Sequence, residues 1–359
     1  MQKIALVLLA AATACHGAWA QSNVQIYGRL NTGIESLRSS DGDSQATRLS
    51  NYRSVLGFKG SEDLGGGLKA IFQIEGTLSP DTGAGSPAAR DTRVGLEGAA
   101  GTLFAGNWSL PYNTATASLD PYYPTTAGYM SIMGNGAAAT VNNTNDTSSF
   151  DRRQQNSVHY WSPVWRGLQL RVAQSASEER PASGAKPYLT SGAVVYEQGN
   201  WYVTGAWERH HEYQGPNTDD TGAKLGAAYR FGNTRVALIG EQLRYETATG
   251  TLKRRSAYVS VTHQMGAHAV KIGVARAGDG KGSAAAGTQV GMVRKGTDTG
   301  ATHYTAGYDY TVSRRTSVFV FYTHLKNQRN AAVDFAINGL GASDGATLKG
   351  ASLGVRHNF

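Results

Sequence analysis

Over the last ten residues apolar and polar side chains alternate. Ala351, Leu353, Val355 and Phe359 share one parity with His357, while Gly350, Ser352, Gly354, Arg356 and Asn358 share the other. Near the start of the chain Val24, Ile26, Gly28 and Leu30 interleave in the same way with Gln25, Tyr27, Arg29 and Asn31. A period of two belongs to a strand with one apolar and one wet face. The same period recurs at 68–76, 92–98, 167–172, 201–208, 224–231, 235–241 and 257–262.

The links between these segments alternate in length. Short links rich in Gly or Asn fall at 62–67, 98–101, 162–167, 197–200, 231–234, 263–267 and 311–315. Long polar links fall at 36–50, 77–89, 108–152, 175–191, 210–221, 247–253, 277–300 and 326–346. Seven short and eight long links join sixteen strands. The expected fold is therefore all-β: a sixteen-stranded antiparallel transmembrane β-barrel with short periplasmic turns and long extracellular loops. A soluble sandwich would show the same alternation, but two details favour the membrane. The apolar parity carries Tyr160, Trp165, Trp201, Tyr229, Phe231, Tyr310 and Phe359 near the short turns, where an interfacial girdle sits. The other parity carries Arg29, Lys59, Glu75, Arg93, Glu97, Arg171 and Lys224, charges that a dry inter-sheet core would hold only at several kcal/mol each.

Composition agrees. Of 359 residues 45 are Gly and only 17% are charged. A helical membrane protein needs runs of about 20 apolar residues; beyond the N-terminus the longest is the five-residue stretch 318–322. The mean hydropathy of −0.36 fits strands that show half their side chains to water. A single cysteine, Cys15, excludes an internal disulfide framework. Residues 1–20 read as a secretory signal: Lys3, the apolar stretch 4–14, then Ala18-Trp19-Ala20 at the cleavage site. Residues 21–359 form the barrel domain. Losing Lys3 lowers the net charge from +8 to +7, and Cys15 leaves with the signal. A lipidated Cys15 is the rival reading, but the leucine usual three positions earlier is missing.

Specific motifs then resemble a family. The run Gly57-Phe58-Lys59-Gly60-Ser61-Glu62-Asp63-Leu64-Gly65-Gly66-Gly67-Leu68-Lys69-Ala70, followed by Phe72 and Glu75-Gly76, is similar to the second strand, first turn and third strand of Gram-negative general porins. Asn156-Ser157-Val158 with Tyr160, Ser162-Pro163 and the terminal Gly354-Val355-Arg356-His357-Asn358-Phe359 resemble the same family, especially its betaproteobacterial, anion-selective branch. The resemblance spans 21–359. It implies a homotrimer in the cell outer membrane, in contact with outer-membrane lipid and lipopolysaccharide, with its third long loop (108–152) folded into the lumen. It also implies a channel for passive diffusion of small hydrophilic solutes and inorganic ions, anions favoured, with no cofactor. One departure is visible: the Pro-Glu-Phe-Gly type segment common in the third loop is absent, and Leu119-Asp120-Pro121-Tyr122-Tyr123-Pro124 stands in its region.

Sixteen strands enclose water rather than a packed interior, so selectivity follows from the charge at the narrowest point. By parity Arg53, Lys59 and Arg93 face the lumen, as does Arg153 if its strand keeps phase. Arg90 lies at a loop–strand junction, where parity assigns no face. The resemblance places a cluster of wall arginines opposite the infolded loop, with Arg53, Arg90, Arg93 and Arg153 at or beside the matching places and Val55 at one of them. Guanidinium is charged at every physiological pH and offers several donors to a partly dehydrated anion. Glu75 and Asp91 on the wall and Asp120 on the loop are the expected acidic partners; Glu75 serves equally well as a structural partner of Lys59 or Arg93. The loop owns enough apolar residues, among them Tyr112, Tyr122, Tyr129, Met130, Ile132 and Met133, to pack against a wall, whereas 142–149 reads as merely solvated.

Other chemistry has little support. His210 and His211 are adjacent and so point to opposite faces of a strand, which does not chelate one metal. Gly65-Gly66-Gly67 and 278–283 lack the Gly-Lys-Ser/Thr ending of a phosphate loop. No Gly-x-Ser-x-Gly element is present, and the basic residues are spread along the chain rather than grouped with stacking aromatics as for nucleic acid. The alternatives carried forward are a structural or adhesive outer-membrane barrel that binds partners through its loops, and a barrel enzyme with a rim site.

Overall fold

The computed structural model describes residues 23–42 and 45–359. The expected signal segment, 1–20, lies outside the described residues. Sixteen antiparallel strands close into a barrel. They are β1 (Asn23–Ser39), β2 (Gln45–Asn51 continued by Val55–Gly65), β3 (Leu68–Ser79), β4 (Thr92–Gly98), β5 (Gly101–Ser109), β6 (Asp151–Trp161), β7 (Leu168–Ser175) and β8 (Tyr188–Gln198), followed by β9 (Trp201–His211), β10 (Asp219–Phe231), β11 (Thr234–Thr247), β12 (Gly250–Met265), β13 (His268–Ala277), β14 (Ala301–Thr311), β15 (Thr316–Asn327) and β16 (Thr347–Asn358). Each pairs with its sequence neighbour, and β16 returns to β1 in eleven register pairs, from Arg29↔Asn358 to Ser39↔Leu348. Gly28 and Phe359 close the seam by exchanging two main-chain hydrogen bonds of 3.1 Å. Among the described residues closure leaves no open edge, so the main-chain groups of the lipid-facing wall can find partners within the sheet.

Alternation assigns the faces. Ile26, Ile34, Leu225, Leu238, Ile272 and Leu353 point outward and are exposed, as lipid contacts require, while Asn31, Glu35, Glu208, Lys224 and His303 point inward. At the short-turn end Trp165, Trp201, Phe231, Tyr310 and Phe359 stand on the outer surface, and Trp201, Tyr229 and Phe231 pack ring to ring at 4.4 Å. This is the expected aromatic girdle.

Two expected long links are short. β1 and β2 extend past the predicted boundary to pair at Arg38↔Gln45, and β11 turns into β12 with Thr247 opposite Gly250. At this rim outward side chains meet lipid head groups and water. Polar residues are therefore compatible with strand, and their polarity hid it.

The third loop does enter the barrel. It begins with helix α1 (Pro111–Ala117), whose residues lie against β8 and β9, continues through two short 3-10 turns at Tyr129–Ser131 and Met133–Asn135, and returns to β6. Leu119, Tyr129, Met130, Ile132 and Met133 are buried with Ile239, Tyr258 and Leu325 of the wall. Gly222 and Gly226 on the inner face of β10 make this possible: a Cβ at either would stand 2.7 Å from Phe150 or 2.6 Å from Leu119.

The segment 142–149 is not merely solvated. Asn143 is buried; its amide donates to Ala176 O and Glu179 Oε2, both at 2.7 Å, and its Oδ1 accepts from Ser175, Tyr213 and Gln154 at 2.7, 2.8 and 3.1 Å. Buried Arg152 donates to the Asn142 carbonyl at 2.7 Å. A polar stretch anchored by buried hydrogen bonds looks, in sequence, the same as one anchored by water.

Candidate functional site

The candidate residues lie on the inner wall of β1–β6 with β16 and on the infolded loop. Register sets the level of each wall side chain. Arg29 pairs with Val55, which pairs with Thr77. One step toward the periplasmic turns come Tyr27, Gly57 and Glu75; one step further come Gln25, Lys59, Gln73 and Arg93. Two residues of strand span about 7 Å, so Lys59 and Arg93 lie about 13 Å along the strands from the Arg29 row.

The upper level gathers a set of arginines. Arg53 is in electrostatic reach of Arg90, Arg153, Asp151 and the loop residue Tyr123; Arg29 is in reach of Arg90, Arg356, Glu75 and Tyr123. Arg29 also donates to the Arg53 carbonyl at 2.9 Å. Arg53 reaches the lumen by an unforeseen route. It sits at φ 55 in the break between the two halves of β2. Before the break the even positions Arg48 and Ser50 pair with inward Glu35 and Gly33; after it the odd positions Val55, Gly57 and Lys59 face inward. A residue in the left-handed region thus resets the phase, at a cost that a surrounding structure must impose.

The acidic candidates divide. Glu75 accepts from Arg90 Nε at 2.8 Å and from the Tyr27 hydroxyl at 3.1 Å. Asp91 accepts from Arg153 Nε at 2.7 Å and from the main chain and hydroxyl of Ser109 at 2.9 Å. Both belong to the arginine set, each already paired. Asp120 does not belong: it is 4% exposed, accepts from the main chain of Tyr122 and Tyr129 at 3.0 and 2.9 Å and from the Tyr258 hydroxyl at 2.9 Å. Its carboxylate folds the loop and docks it on β12, and so does not face the channel. Burial pushes that carboxyl up to about 6, against the pull of these hydrogen bonds.

Lys59 and Arg93 face the lumen at the lower level, apart from the arginine set. The Lys59 ammonium lies over the Tyr27 ring at 5.2 Å. The Arg93 guanidinium lies over Phe104 at 4.5 Å and Trp108 at 4.4 Å, where cation–π attraction replaces a carboxylate. Together with Gln25, Lys69, Gln73 and Glu97 they border a cavity of about 310 Å³ at the periplasmic side.

Sequence reasoning missed Arg29 and Arg356 as members of the upper set. Parity turns both inward, but their proximity exists only because β1 pairs with β16, placing Arg356 opposite Asn31. The seam was the signal. A further ionic group fixes the loop to the opposite wall: Lys224 meets Asp151 at 2.6 Å and Glu241 at 3.7 Å, and Glu241 accepts from Tyr112 Oη and Gly134 N at 2.9 Å. Within this set five guanidiniums (Arg29, Arg53, Arg90, Arg153, Arg356) meet two carboxylates (Glu75, Asp91), an excess of three positive charges; Glu35 and Asp151 on the same wall are paired with Arg48 and Lys224. His210 and His211 project to opposite faces, buried and half-buried.

Comparison with known proteins agrees with this architecture. A family model described as Gram-negative porin matches residues 5–330. Outer membrane porin protein 32 of Delftia acidovorans is 28% identical over 99% of this chain and 100% of its own length. The major outer membrane protein P.IA of Neisseria meningitidis serogroup C is 25% identical over 95% of this chain and 96% of its own. Among solved structures, an anion-selective porin from Comamonas acidovorans superposes with a TM-score of 0.80 at 23% identity, covering 94% of this chain and 100% of that one; that likeness bears on the fold. With wall, girdle, infolded loop and relatives in agreement, the chain belongs to the Gram-negative porin family and is an outer-membrane channel for passive diffusion.

Proposed function

We propose that this channel prefers anions moderately, and that Arg29, Arg53, Arg90, Arg153 and Arg356 set the preference at a constriction closed on the other side by Tyr123 of the third loop. One observation carries the reading: the local excess of positive charge, with Glu75 and Asp91 each bound to one arginine and Asp120 withdrawn into the loop. In a lumen that partly excludes water and salt, fixed charge is screened less than in bulk. Lys59 and Arg93 act below the constriction, as a second cationic level that passes anions on toward the periplasmic mouth. The test is the reversal potential of single channels in a KCl gradient; a cation-selective value overturns the reading.

The protein works as a homotrimer surrounded by outer-membrane lipid and lipopolysaccharide. Two features support the trimer: β4 and β5 are among the shortest strands, and Phe58, Ile74, Val94 and Leu103 give that side of the barrel an apolar outer face which a neighbouring copy would cover. Cross-linking of intact outer membranes, with trimers expected and monomers contradicting, tests this part separately.

A further inference from the structure

The outer wall on the far side from β3 and β4 carries an apolar groove of about 770 Å³ across β7–β12. Its floor is Gly192, Gly205, Ala223 and Gly240, and Trp207 and Leu225 rise from it. Register explains the shape: Gly192 lies opposite Trp207 and Trp207 opposite Ala223, while Gly205 lies opposite Leu225 and Leu225 opposite Gly240. Small and large residues thus alternate across the wall. The glycines have no internal steric cause. A Cβ at Gly240 would meet nothing within 4 Å, and one at Gly192 or Gly205 would make only ordinary contacts of 3.9 or 3.4 Å. Glycine weakens a strand unless something must approach the backbone closely. Here nothing in the chain does.

The groove runs, at the extracellular end, into a polar cavity of about 470 Å³; Gln242 and Arg255 line both. The upper cavity is cationic. Lys253 and Lys281 are held side by side by two main-chain hydrogen bonds of 2.7 and 2.8 Å. Arg255 Nε donates to Gln242 at 3.0 Å, leaving its terminal nitrogens unpartnered among the described residues. The acidic residue at hand, Asp279, accepts from Thr299 N and Gly300 N at 2.9 and 3.2 Å and forms no ion pair among the described residues. On the same rim Arg209 is matched by Asp219 at 2.7 Å and Arg244 by Glu246 at 2.6 Å. Lys253, Arg255 and Lys281 depart from that local pattern.

We propose that this paired site binds one membrane lipid with a phosphorylated head group: acyl chain in the glycine-floored groove, phosphate on Lys253, Arg255 and Lys281. Charge complementarity commits the occupant, since a neutral lipid would leave Lys253, Arg255 and Lys281 against the single carboxylate of Asp279, a net excess of two positive charges, and depth fits, because the cationic end lies at the extracellular rim where head groups of the outer leaflet lie. The proposal deepens the lipid contact given above and rests on the outer-membrane reading. A second copy of the chain is the rival occupant.

Native mass spectrometry of the full refolded protein in zwitterionic micelles tests it, with bis-phosphorylated lipid A, phosphatidylglycerol and inorganic phosphate as separate probes. Wild type should retain a phosphorylated lipid, and inorganic phosphate alone should not be retained. The double variant Lys253→Gln/Arg255→Gln, altered only on the surface, should bind lipid about ten-fold more weakly. Gly240→Leu, which fills the groove, should do the same. Equal retention by wild type and both variants overturns the proposal. So does retention of phosphate with no effect of Gly240→Leu, which leaves a bare anion site, and so does a change of oligomeric state in Gly240→Leu, which assigns the groove to a second copy. Conductance, measured in parallel, should be unchanged in these variants; its loss in wild type would contradict the channel reading and leave the lipid result standing.

Discussion

Arg153 and Asp91 form an ion pair of 2.7 Å that joins β6 to the residue ahead of β4 at the root of the third loop. The same guanidinium donates to Ala139 O at 2.6 Å and to Ser109 Oγ at 3.0 Å. Arg153 thus holds both limbs of the loop, and this role separates experimentally from the charge proposed for it in the lumen.

Arg153→Glu would place two carboxylates together and strip the loop of three hydrogen bonds. Asp91 keeps some exposure, so losing its partner costs less than the roughly 3–5 kcal/mol of a fully buried pair. The expected result is a shift of reversal potential toward cations together with noisier open-channel current. A clean shift without added noise would show that the loop is held elsewhere.

Arg53→Glu and Arg29→Glu should shift selectivity without the noise, because neither side chain has a carboxylate partner among the described residues. Each reversal changes the local charge by two, worth at most about 1.7 kcal/mol for a monovalent ion at a separation near 5 Å in water-like dielectric, roughly 15-fold against the anion and as much in favour of the cation. Unchanged ratios in both would remove these residues from the constriction.

Salt should weaken the preference. Raising KCl from about 0.1 to about 1 M shortens the Debye length from about 10 to about 3 Å, so the permeability ratio, measured at a fixed gradient, should fall toward unity. A ratio independent of salt would indicate selection by width rather than by charge.

Asp120 predicts a pH effect on the loop, which lies outside the spanning strands. Burial raises its carboxyl from 3.8 to about 6, so between these values the folded chain takes up a proton that the unfolded chain does not. Stability therefore rises as pH falls from about 6 to about 4 and is lost as pH rises through about 6, by at most on the order of 3 kcal/mol. The temperature at which the folded gel band converts to the unfolded one should rise on acidification over this window in wild type and respond less in Asp120→Asn. An identical response in both would contradict the assignment.

Asn143→Ala should loosen the returning limb of the loop by leaving Glu179, Ser175 and Tyr213 short of a buried partner, at about 1–3 kcal/mol. Faster amide exchange confined to the limb around 142–149 is the expected readout; exchange equal to wild type would mean that Arg152 suffices alone.

The barrel was legible because its rule is local: parity at 350–359 and the turns at 65–67 or 231–234 need only neighbours along the chain. The site was legible in part. Glu75, Asp91, Arg90 and Arg153 gather as charge and proximity to the third loop suggest. Arg53 does so only because a left-handed residue interrupts β2, a conformation that arginine does not advertise. Arg29 and Arg356 depend on closure of the sheet, and Asp120 on how the loop turns back on itself. Those are long-range facts, and no short window of sequence contains them.

The seam between Gly28 and Phe359 also orders events in time. The two partners stand more than three hundred residues apart, so the wall closes only when two distant segments of the chain meet. Pairings this distant fold slowly, because closing so long a loop costs entropy before any bond repays it. Until then β1 and β16 are both bare edges, open to pairing with other chains. Phe359, anchored to Gly28 through its main chain and exposed on the outer surface beside the short turns, removes both of those edges in one contact.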